Sequence, residues 1–299
     1  MKNGYYGSID VGTNAARMVI KNVSMTIKGD LDSFRVQEVR VPLRLGVDVF
    51  NYGYLKEKKI KQLVDTIYCF KTLMNIYDVI DYKAIATSAM REASNGKEVI
   101  EKIKNDTGVN LEIISGEKEA STISKIAKDL KINKTCCFID VGGGSTEINL
   151  FYKDKIIESN SFPLGTLRIL AKADKEESRD NFRKKLKSYH KEYGDIDIVG
   201  TGGNINRYWK MSPHYERKGQ HILFVEDLVK EYKELKDMSL SQRMDEFKLK
   251  PDRADVIVPA GQIFVEAAEI LDSKLIYVPL IGLGDGLIDT LVQENMNII

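Results

Sequence analysis

The sequence is poor in the residues that cross-link small secreted domains or build zinc sites. It has three cysteines, three histidines and one tryptophan in 299 residues. Two of the cysteines, Cys136 and Cys137, are adjacent inside an apolar run, which is a poor start for a disulfide framework. The few, unclustered histidines argue against a His-rich zinc site. These shortages point to a reducing compartment, and we expect a cytoplasmic protein.

Long hydrophobic runs and an excess charge of one sign are also absent. No apolar run reaches the ~18 residues that a membrane span needs, and the opening MKNGYYGSIDVG has no signal-peptide core before its glycines. The 45 Lys and Arg residues nearly balance the 44 Asp and Glu residues, so the whole-chain charge does not indicate nucleic-acid binding. We therefore expect neither a membrane nor a nucleic acid as a partner.

The chain is long enough for about two domains. Apolar residues between positions 55 and 77 recur every three or four residues, which predicts an amphipathic helix, whereas the first 50 residues have the character of strands. In both halves, three strands precede alternating helices and strands. That order predicts an α/β fold of two similar lobes with a ligand in the cleft between them.

An internal repeat supports the two-lobe prediction. The segment IDVGTNAARMVI at 9–20 aligns without gaps on IDVGGGSTEINL at 139–150, and the first four residues are identical. Each copy is an apolar strand that ends in an aspartate and is followed by a glycine turn and a second strand.

The two turns of this repeat have the chemistry of a phosphate and metal site. Glycine lets backbone N–H groups approach and point at one anion. Asp10 and Asp140 precede these turns and could hold a hard cation such as magnesium (Mg²⁺), which prefers oxygen ligands. The predicted phosphate contacts in the turns are Thr13, Asn14, Gly143, Gly144 and Ser145.

Seven segments in order along the chain resemble one family. They are IDVGTNAARMVI, ATSAMREASNG, ISGEKEA, FIDVGGGSTEI, FPLGTLRI, IVGTGGNI and ADVIVPAG. Together they resemble the exopolyphosphatase / guanosine pentaphosphate phosphohydrolase (Ppx/GppA) family within the actin-like superfamily. The resemblance implies two actin-like (ribonuclease H-like) lobes, residues 1–124 and 125–299, with an active-site cleft between them. It also implies a last helix, about 284–299, that packs back on the first lobe.

Two of these segments predict the reacting groups. Arg91 follows the end of a strand, and its guanidinium suits phosphate; its position is similar to that of a family arginine that contacts substrate phosphate. In ISGEKEA the family places its catalytic glutamate immediately before the small residue, here Ala120, which selects Glu119 as general base. Glu117 is the candidate if that alignment slips by two residues, although capping of the helix start explains it equally well.

Further site residues follow from the later segments. The resemblance implies that Glu147 helps to hold the metal. Two roles are open for Gly202 and Gly203, namely contact with a nucleotide and packing of a helix against a strand. We expect packing, with some phosphate contact. The final segment departs from the family pattern, which usually has Arg-Glu where this chain has Gly284-Asp285. A substrate contact from that arginine is therefore absent here or supplied elsewhere.

The resemblance implies a Mg²⁺-dependent phosphohydrolase that releases terminal phosphate from inorganic polyphosphate or guanosine pentaphosphate. One alternative is an ATP-binding kinase or an actin/Hsp70-like nucleotide switch, which use the same turns but lack ISGEKEA with ATSAMREA in this form. Another is a sensor that binds the alarmone without cleaving it. A homodimer is one expectation for the assembly, which the residues themselves leave open.

Overall fold

The computed structural model describes residues 3–26, 31–126, 134–152, 155–214 and 221–297. The described residues form two compact units. The first lies within Met1–Thr122 and Leu283–Ile299, and the second within Ile123–Gly282. The first unit is therefore built from two separate stretches of the chain.

The first unit contains a five-stranded sheet. Its strands are β1 (Gly4–Val11), β2 (Ala16–Met25), β3 (Leu31–Val41), β4 (Asp81–Ala86) and β5 (Glu112–Ile113). They lie in the order β3-β2-β1-β4-β5. The first three strands are antiparallel neighbours, whereas β4 and β5 run parallel to β1. The carboxyl ends of β1, β4 and β5 consequently share one edge of the sheet.

Helices cover this sheet. They are α1 (Leu45–Tyr52), α2 (Glu57–Ile76), α3 (Ser88–Glu92), α4 (Gly96–Thr107) and α5 (Gly116–Ile126). The buried face of α2 carries Ile60, Leu63, Ile67 and Phe70, which recur at helical spacing and join the main core of the unit. The helix predicted between positions 55 and 77 is therefore present.

The second unit repeats this architecture with one additional strand. Its strands are β6 (Cys136–Val141), β7 (Thr146–Tyr152), β8 (Lys155–Phe162), β9 (Asp197–Thr201), β10 (Ile222–Phe224) and β11 (Leu275–Tyr277). They lie in the order β10-β11-β9-β6-β7-β8. Strand β6 takes the place of β1, with antiparallel β7 on one side and parallel β9 on the other. The prediction of an α/β chain with two similar lobes is confirmed.

Helices also pack around the second sheet. They are α6 (Thr166–Leu170), α7 (Glu176–Tyr193), α8 (Gly203–Met211), α9 (Val225–Asp237), α10 (Leu240–Glu246), α11 (Pro251–Ala254) and α12 (Ile257–Ile270). Helix α12 is apolar on most of its surface and contacts α6, α7, α8 and α9. Tyr208 and Trp209 of α8 are buried in this core.

The last helix, α13 (Leu283–Asn297), packs on β1, β2 and β4 of the first unit. A small apolar cluster joins helix and sheet; its members are Tyr6, Val19, Val23, Ile288, Leu291 and Val292. Asp285, at the family position discussed above, contacts Lys21 at 3.3 Å and Arg35 at 2.7 Å. The acid of the final segment therefore ties α13 to the sheet.

The structure corrects the sequence prediction at several elements. The first 50 residues contain three strands, as predicted, but the strands end at Val41 and α1 begins at Leu45. The short elements α3, α6 and β10 are not predicted from the pattern. The sequence pattern also predicts a helix over 117–131; α5 begins at Gly116, and residues 127–131 lie outside the described residues. No helix among the described residues is long and apolar enough to cross a membrane.

Candidate active site

The turn between β1 and β2 is closed by a backbone hydrogen bond. The Gly12 N–H donates to the Ala15 carbonyl at 3.0 Å. Thr13 is buried, and its Oγ1 accepts a hydrogen bond from the Ala89 N–H at 3.2 Å. Asn14 is half-buried, and its carbonyl accepts from the Arg44 N–H at 2.8 Å. The Thr13 side chain thus connects the turn to the start of α3.

Two further strand ends reach the same edge of the first sheet. The Thr87 N–H donates to the Val11 carbonyl at 3.2 Å, and the Ile114 N–H donates to the Ala86 carbonyl at 3.1 Å. Helices α3 and α5 begin directly after these strand ends. The carboxyl edge of parallel strands is where α/β proteins commonly bind ligands.

Arg91 and Glu119 meet at this edge. Arg91 Nη1 donates to the Ile114 carbonyl at 2.6 Å and lies 3.8 Å from Glu119 Oε2. Glu119 is only 8% exposed, although it lies in the first turn of α5. The structure therefore brings together the two residues that the sequence predicts as phosphate contact and general base.

Glu117 has a different environment. Its side chain is exposed at the helix start, where the Lys118 N–H donates to Ser115 Oγ at 3.2 Å. Hydrogen bonds from its own backbone N–H and from Ser115 hold the pKa of the Glu117 carboxyl below its usual range. A carboxylate stabilised in this way is a weaker base, and its contacts are those of a helix cap.

A row of polar residues crosses the second sheet. Asp140 on β6 faces Glu147 on β7, and Glu147 faces Ser161 on β8. Glu147 is fully buried, and Ser161 Oγ donates to its Oε1 at 2.8 Å. Two carboxylates directly opposite each other repel unless a cation compensates them. The equivalent aspartate of the first unit, Asp10, instead faces Arg17.

Asp140 and Glu147 fit a magnesium ion better than a transition metal. The described residues contain no cluster of three or more His, Cys, Asp or Glu side chains that could hold a metal. Mg²⁺ is commonly held by one or two carboxylates together with waters and substrate phosphates. Asp10, the third predicted ligand, already has the positive charge of Arg17 opposite it in the pairing of β1 with β2.

The turn between β6 and β7 reproduces the first turn. The Gly142 N–H donates to the Ser145 carbonyl at 3.0 Å, and the Leu167 N–H donates to the Gly143 carbonyl at 2.8 Å. Gly165 approaches so closely that a Cβ there would lie 2.5 Å from the nitrogen of Gly144. This contact requires glycine at position 165 and fixes the start of α6 against the turn.

Gly202 and Gly203 lie between β9 and α8. Gly202 has a φ of +96°, and a Cβ at this position would lie 2.7 Å from Asp140 Oδ1. A Cβ at Gly203 would run into the Arg253 guanidinium, which donates to Asn204 Oδ1 at 3.2 Å. Both glycines therefore serve close packing, and Gly202 does so directly beside a predicted metal ligand.

Several residues of this site are not predicted from the sequence. Ser161, Gly165 and Arg168 contact the second turn or its carboxylates. The sequence analysis assigns no role to them, although Gly165 and Arg168 lie in the motif FPLGTLRI. A second internal repeat is a signal for this segment, although it does not reveal the roles of these three residues. The Pro-Leu pair that follows β3 at positions 42 and 43 recurs after β8 at positions 163 and 164, and both pairs lead into a helix that contacts a turn.

Sequence comparison gives one family and several relatives. The model of the Ppx/GppA phosphatase family matches residues 29–295. A bifunctional 3-dehydroquinate synthase/phosphatase of Fusobacterium nucleatum is 29% identical over 302 residues, which cover 91% of this chain and 44% of that protein. Exopolyphosphatase 1 of Mycobacterium tuberculosis is 26% identical over 172 residues, covering 54% of this chain and 47% of the relative. The matched parts of the chain thus cover less than half the length of each of these two relatives.

Solved structures match over nearly the whole chain. A Ppx/GppA family member from Aquifex aeolicus superposes with a TM-score of 0.77 at 28% identity, covering 98% of this chain and 99% of the other. An exopolyphosphatase from Cytophaga hutchinsonii superposes with a TM-score of 0.82 at 21% identity, covering 97% and 98%. The second similarity concerns the fold alone.

Proposed function

Since this chain belongs to the Ppx/GppA phosphatase family, we propose that it is a Mg²⁺-dependent phosphohydrolase. Its proposed substrates are inorganic polyphosphate and guanosine pentaphosphate, from which it releases the terminal phosphate. The observation that carries the proposal is the buried Glu119 carboxylate, held 3.8 Å from Arg91 at the edge of the first sheet. Such a pair combines a proton acceptor with a group that binds phosphate.

Hydrolysis of a phosphoanhydride depends mainly on positioning and charge stabilisation, because the transition state is loose. Glu119 orients the attacking water and takes its proton. Arg91 donates hydrogen bonds to the oxygens of the terminal phosphoryl group. In the second unit, backbone N–H groups of Gly143, Gly144 and Ser145 bind phosphate oxygens.

The remaining predicted residues have supporting roles. The backbones of Thr13 and Asn14, and of Gly202 and Gly203, contribute phosphate contacts or shape the loops that do. The carboxylates of Asp140 and Glu147 would hold Mg²⁺. Asp10 is also predicted as a ligand, although it faces Arg17 in its own sheet. When bound, Mg²⁺ neutralises the phosphate oxygens and so lowers the charge that the reaction has to accommodate.

The decisive test compares two isosteric variants at the start of α5. Glu119→Gln keeps the shape of the side chain but removes the proton acceptor, so kcat for phosphate release falls ~10²–10⁴-fold while KM changes little. Glu117→Gln is the matched control, because it removes the same charge from an exposed side chain two residues before Glu119. The kcat of this variant stays within about two-fold of that of the unsubstituted protein.

Phosphate release is measured on polyphosphates of several lengths and on guanosine pentaphosphate, with Mg²⁺ and with EDTA. Loss of activity in Glu117→Gln but not in Glu119→Gln would transfer the role of base to Glu117. A chain that binds these substrates and releases no phosphate would instead be a sensor. Stabilisation by ATP alone, without phosphate release from either substrate, would indicate the kinase or nucleotide-switch alternative.

A further inference from the structure

Arg168 is a buried cation directly behind the second glycine turn. It lies in α6, and the residue is 7% exposed. Its Nε donates to the Gly144 carbonyl at 2.7 Å, and its backbone N–H donates to the Gly143 carbonyl at 3.1 Å. The Thr166 N–H donates to the Gly142 carbonyl at 3.0 Å. Helix α6 therefore holds three successive carbonyls of the turn.

Holding the carbonyls sets the direction of the N–H groups. In a trans peptide the N–H points away from the preceding C=O, and the two are joined in one rigid plane. The Gly144 carbonyl points at Arg168, so the Ser145 N–H points to the opposite side. The guanidinium also draws electron density towards that carbonyl, which makes the Ser145 N–H a stronger donor.

The first unit provides an internal comparison. Its turn has the same closing hydrogen bond, and the Gly46 N–H donates to the Thr13 carbonyl at 3.0 Å as the Leu167 N–H does to that of Gly143. The next carbonyl differs between the units. Asn14 accepts from the neutral backbone N–H of Arg44, whereas Gly144 accepts from a guanidinium.

The sequence shows the same difference. Alignment of the two Pro-Leu pairs places Val47 where the second unit has Arg168. Val47 is apolar and exposed, so the first unit has no cation at this position of its anchoring helix. The arginine is therefore not required to build the turn and its anchor, because the first unit forms both without it.

We propose that Arg168 is a positioning residue that fixes and polarises the Gly144–Ser145 peptide so that the Ser145 N–H binds substrate phosphate. This inference rests on the proposed function for its ligand. Arg168 acts through the peptide and does not touch the phosphate. The second turn is thereby the stronger anion site of the two, although the backbone hydrogen bonds that close both turns are alike.

The first experiment needs no ligand. The sequence contains two Gly-Ser pairs, at 7–8 and 144–145, so labelling glycine carbonyls with ¹³C and serine nitrogens with ¹⁵N leaves two amide signals in a carbonyl-filtered NMR spectrum. The variant Ser8→Ala assigns them. Arg168→Met shifts the Ser145 signal and leaves the Ser8 signal in place. An unmoved Ser145 signal in Arg168→Met would refute the inference.

The second experiment measures affinity for inorganic tripolyphosphate with Mg²⁺, by calorimetry in the Glu119→Gln background that suppresses turnover. Arg168→Met weakens binding about ten-fold, because the Ser145 N–H is no longer held towards the ligand and one hydrogen bond to the charged phosphate is lost. Arg168→Lys restores part of it, because a charge without the planar guanidinium is a poorer replacement.

Arg179 supplies the matched control. It is also 7% exposed, lies in the same unit, and pairs with Asp174 and Glu266. Arg179→Met lowers stability but leaves tripolyphosphate affinity and the Ser145 signal unchanged. Equal losses of affinity in both variants, or a shifted Ser145 signal without a loss of affinity, would overturn the role in phosphate binding. If the Glu119→Gln parent binds no tripolyphosphate, the proposed function fails. The ligand-free spectrum still tests whether Arg168 acts on the Gly144–Ser145 peptide.

Discussion

Replacing Asp285 by asparagine should measurably loosen the last helix of the first unit. The Asp285 side chain is 5% exposed and contacts both Lys21 and Arg35. Breaking a buried ion pair by removing one partner costs about 3–5 kcal/mol. Here Lys21 retains Asp289 at 3.0 Å and Arg35 retains Glu38 at 2.6 Å, so we expect about 2–3 kcal/mol, below that range.

The assays are urea denaturation and thermal denaturation of Asp285→Asn, both followed by circular dichroism. In a unit of about 140 residues, the expected loss lowers the melting temperature by roughly 7–10 °C if that unit unfolds by itself. Asp289→Asn is the control, because its side chain is 36% exposed and such pairs contribute about 1 kcal/mol or less. If both variants lie within 0.5 kcal/mol of the unsubstituted chain, a value near the noise of such measurements, the reasoning is refuted.

Two further predictions concern the second unit. Burial, reinforced by nearby Asp227, raises the pKa of the Glu231 carboxyl from 4.5 to about 8, so the folded chain keeps a proton that the unfolded chain releases. The free energy of unfolding therefore falls as pH rises from about 5 to 8. Urea denaturation at several pH values should show a weaker pH dependence for Glu231→Gln. The same pH dependence in both proteins would contradict the raised pKa of Glu231. Gly202→Ala should cost more than the ~1–3 kcal/mol of backbone strain at such a positive φ. It should also raise the Mg²⁺ requirement, because the new Cβ meets Asp140. Gly194→Ala, with a φ of +75° and no neighbour within 4 Å, should cost the strain alone; equal effects of the two variants would dismiss the contact.

The sequence predicts the sheets well and the connections poorly. The repeat of Ile-Asp-Val-Gly predicts two hairpins, and both occur with the same closing hydrogen bond. Helix α1 is missed because Leu43, Leu45, Val47 and Val49 alternate as in a strand. Tertiary contacts favour the helix there, because the N–H groups of Arg44 and Gly46 donate hydrogen bonds to carbonyls of the first turn.

The candidate site is also predictable only in part. Arg91 and Glu119 each follow a strand end, and adjacent parallel strands bring such positions together, as the structure shows for this pair. The family resemblance selects Glu119 over Glu117, but the residues alone do not, because two acids in one helical turn do not show which of them is buried. Ser161 and Arg168 could not be assigned, because each acts on a neighbour that only the folded chain supplies.

The discontinuous first unit has a consequence for synthesis on the ribosome. The second unit is continuous in sequence and can complete its core once residue 282 has emerged. The first unit is translated earlier, yet it needs α13 to cover Tyr6, Val19 and Val23 of its sheet. Of these two units, the one whose synthesis begins first is therefore completed second, and an apolar strip of its sheet stays uncovered until α13 has emerged.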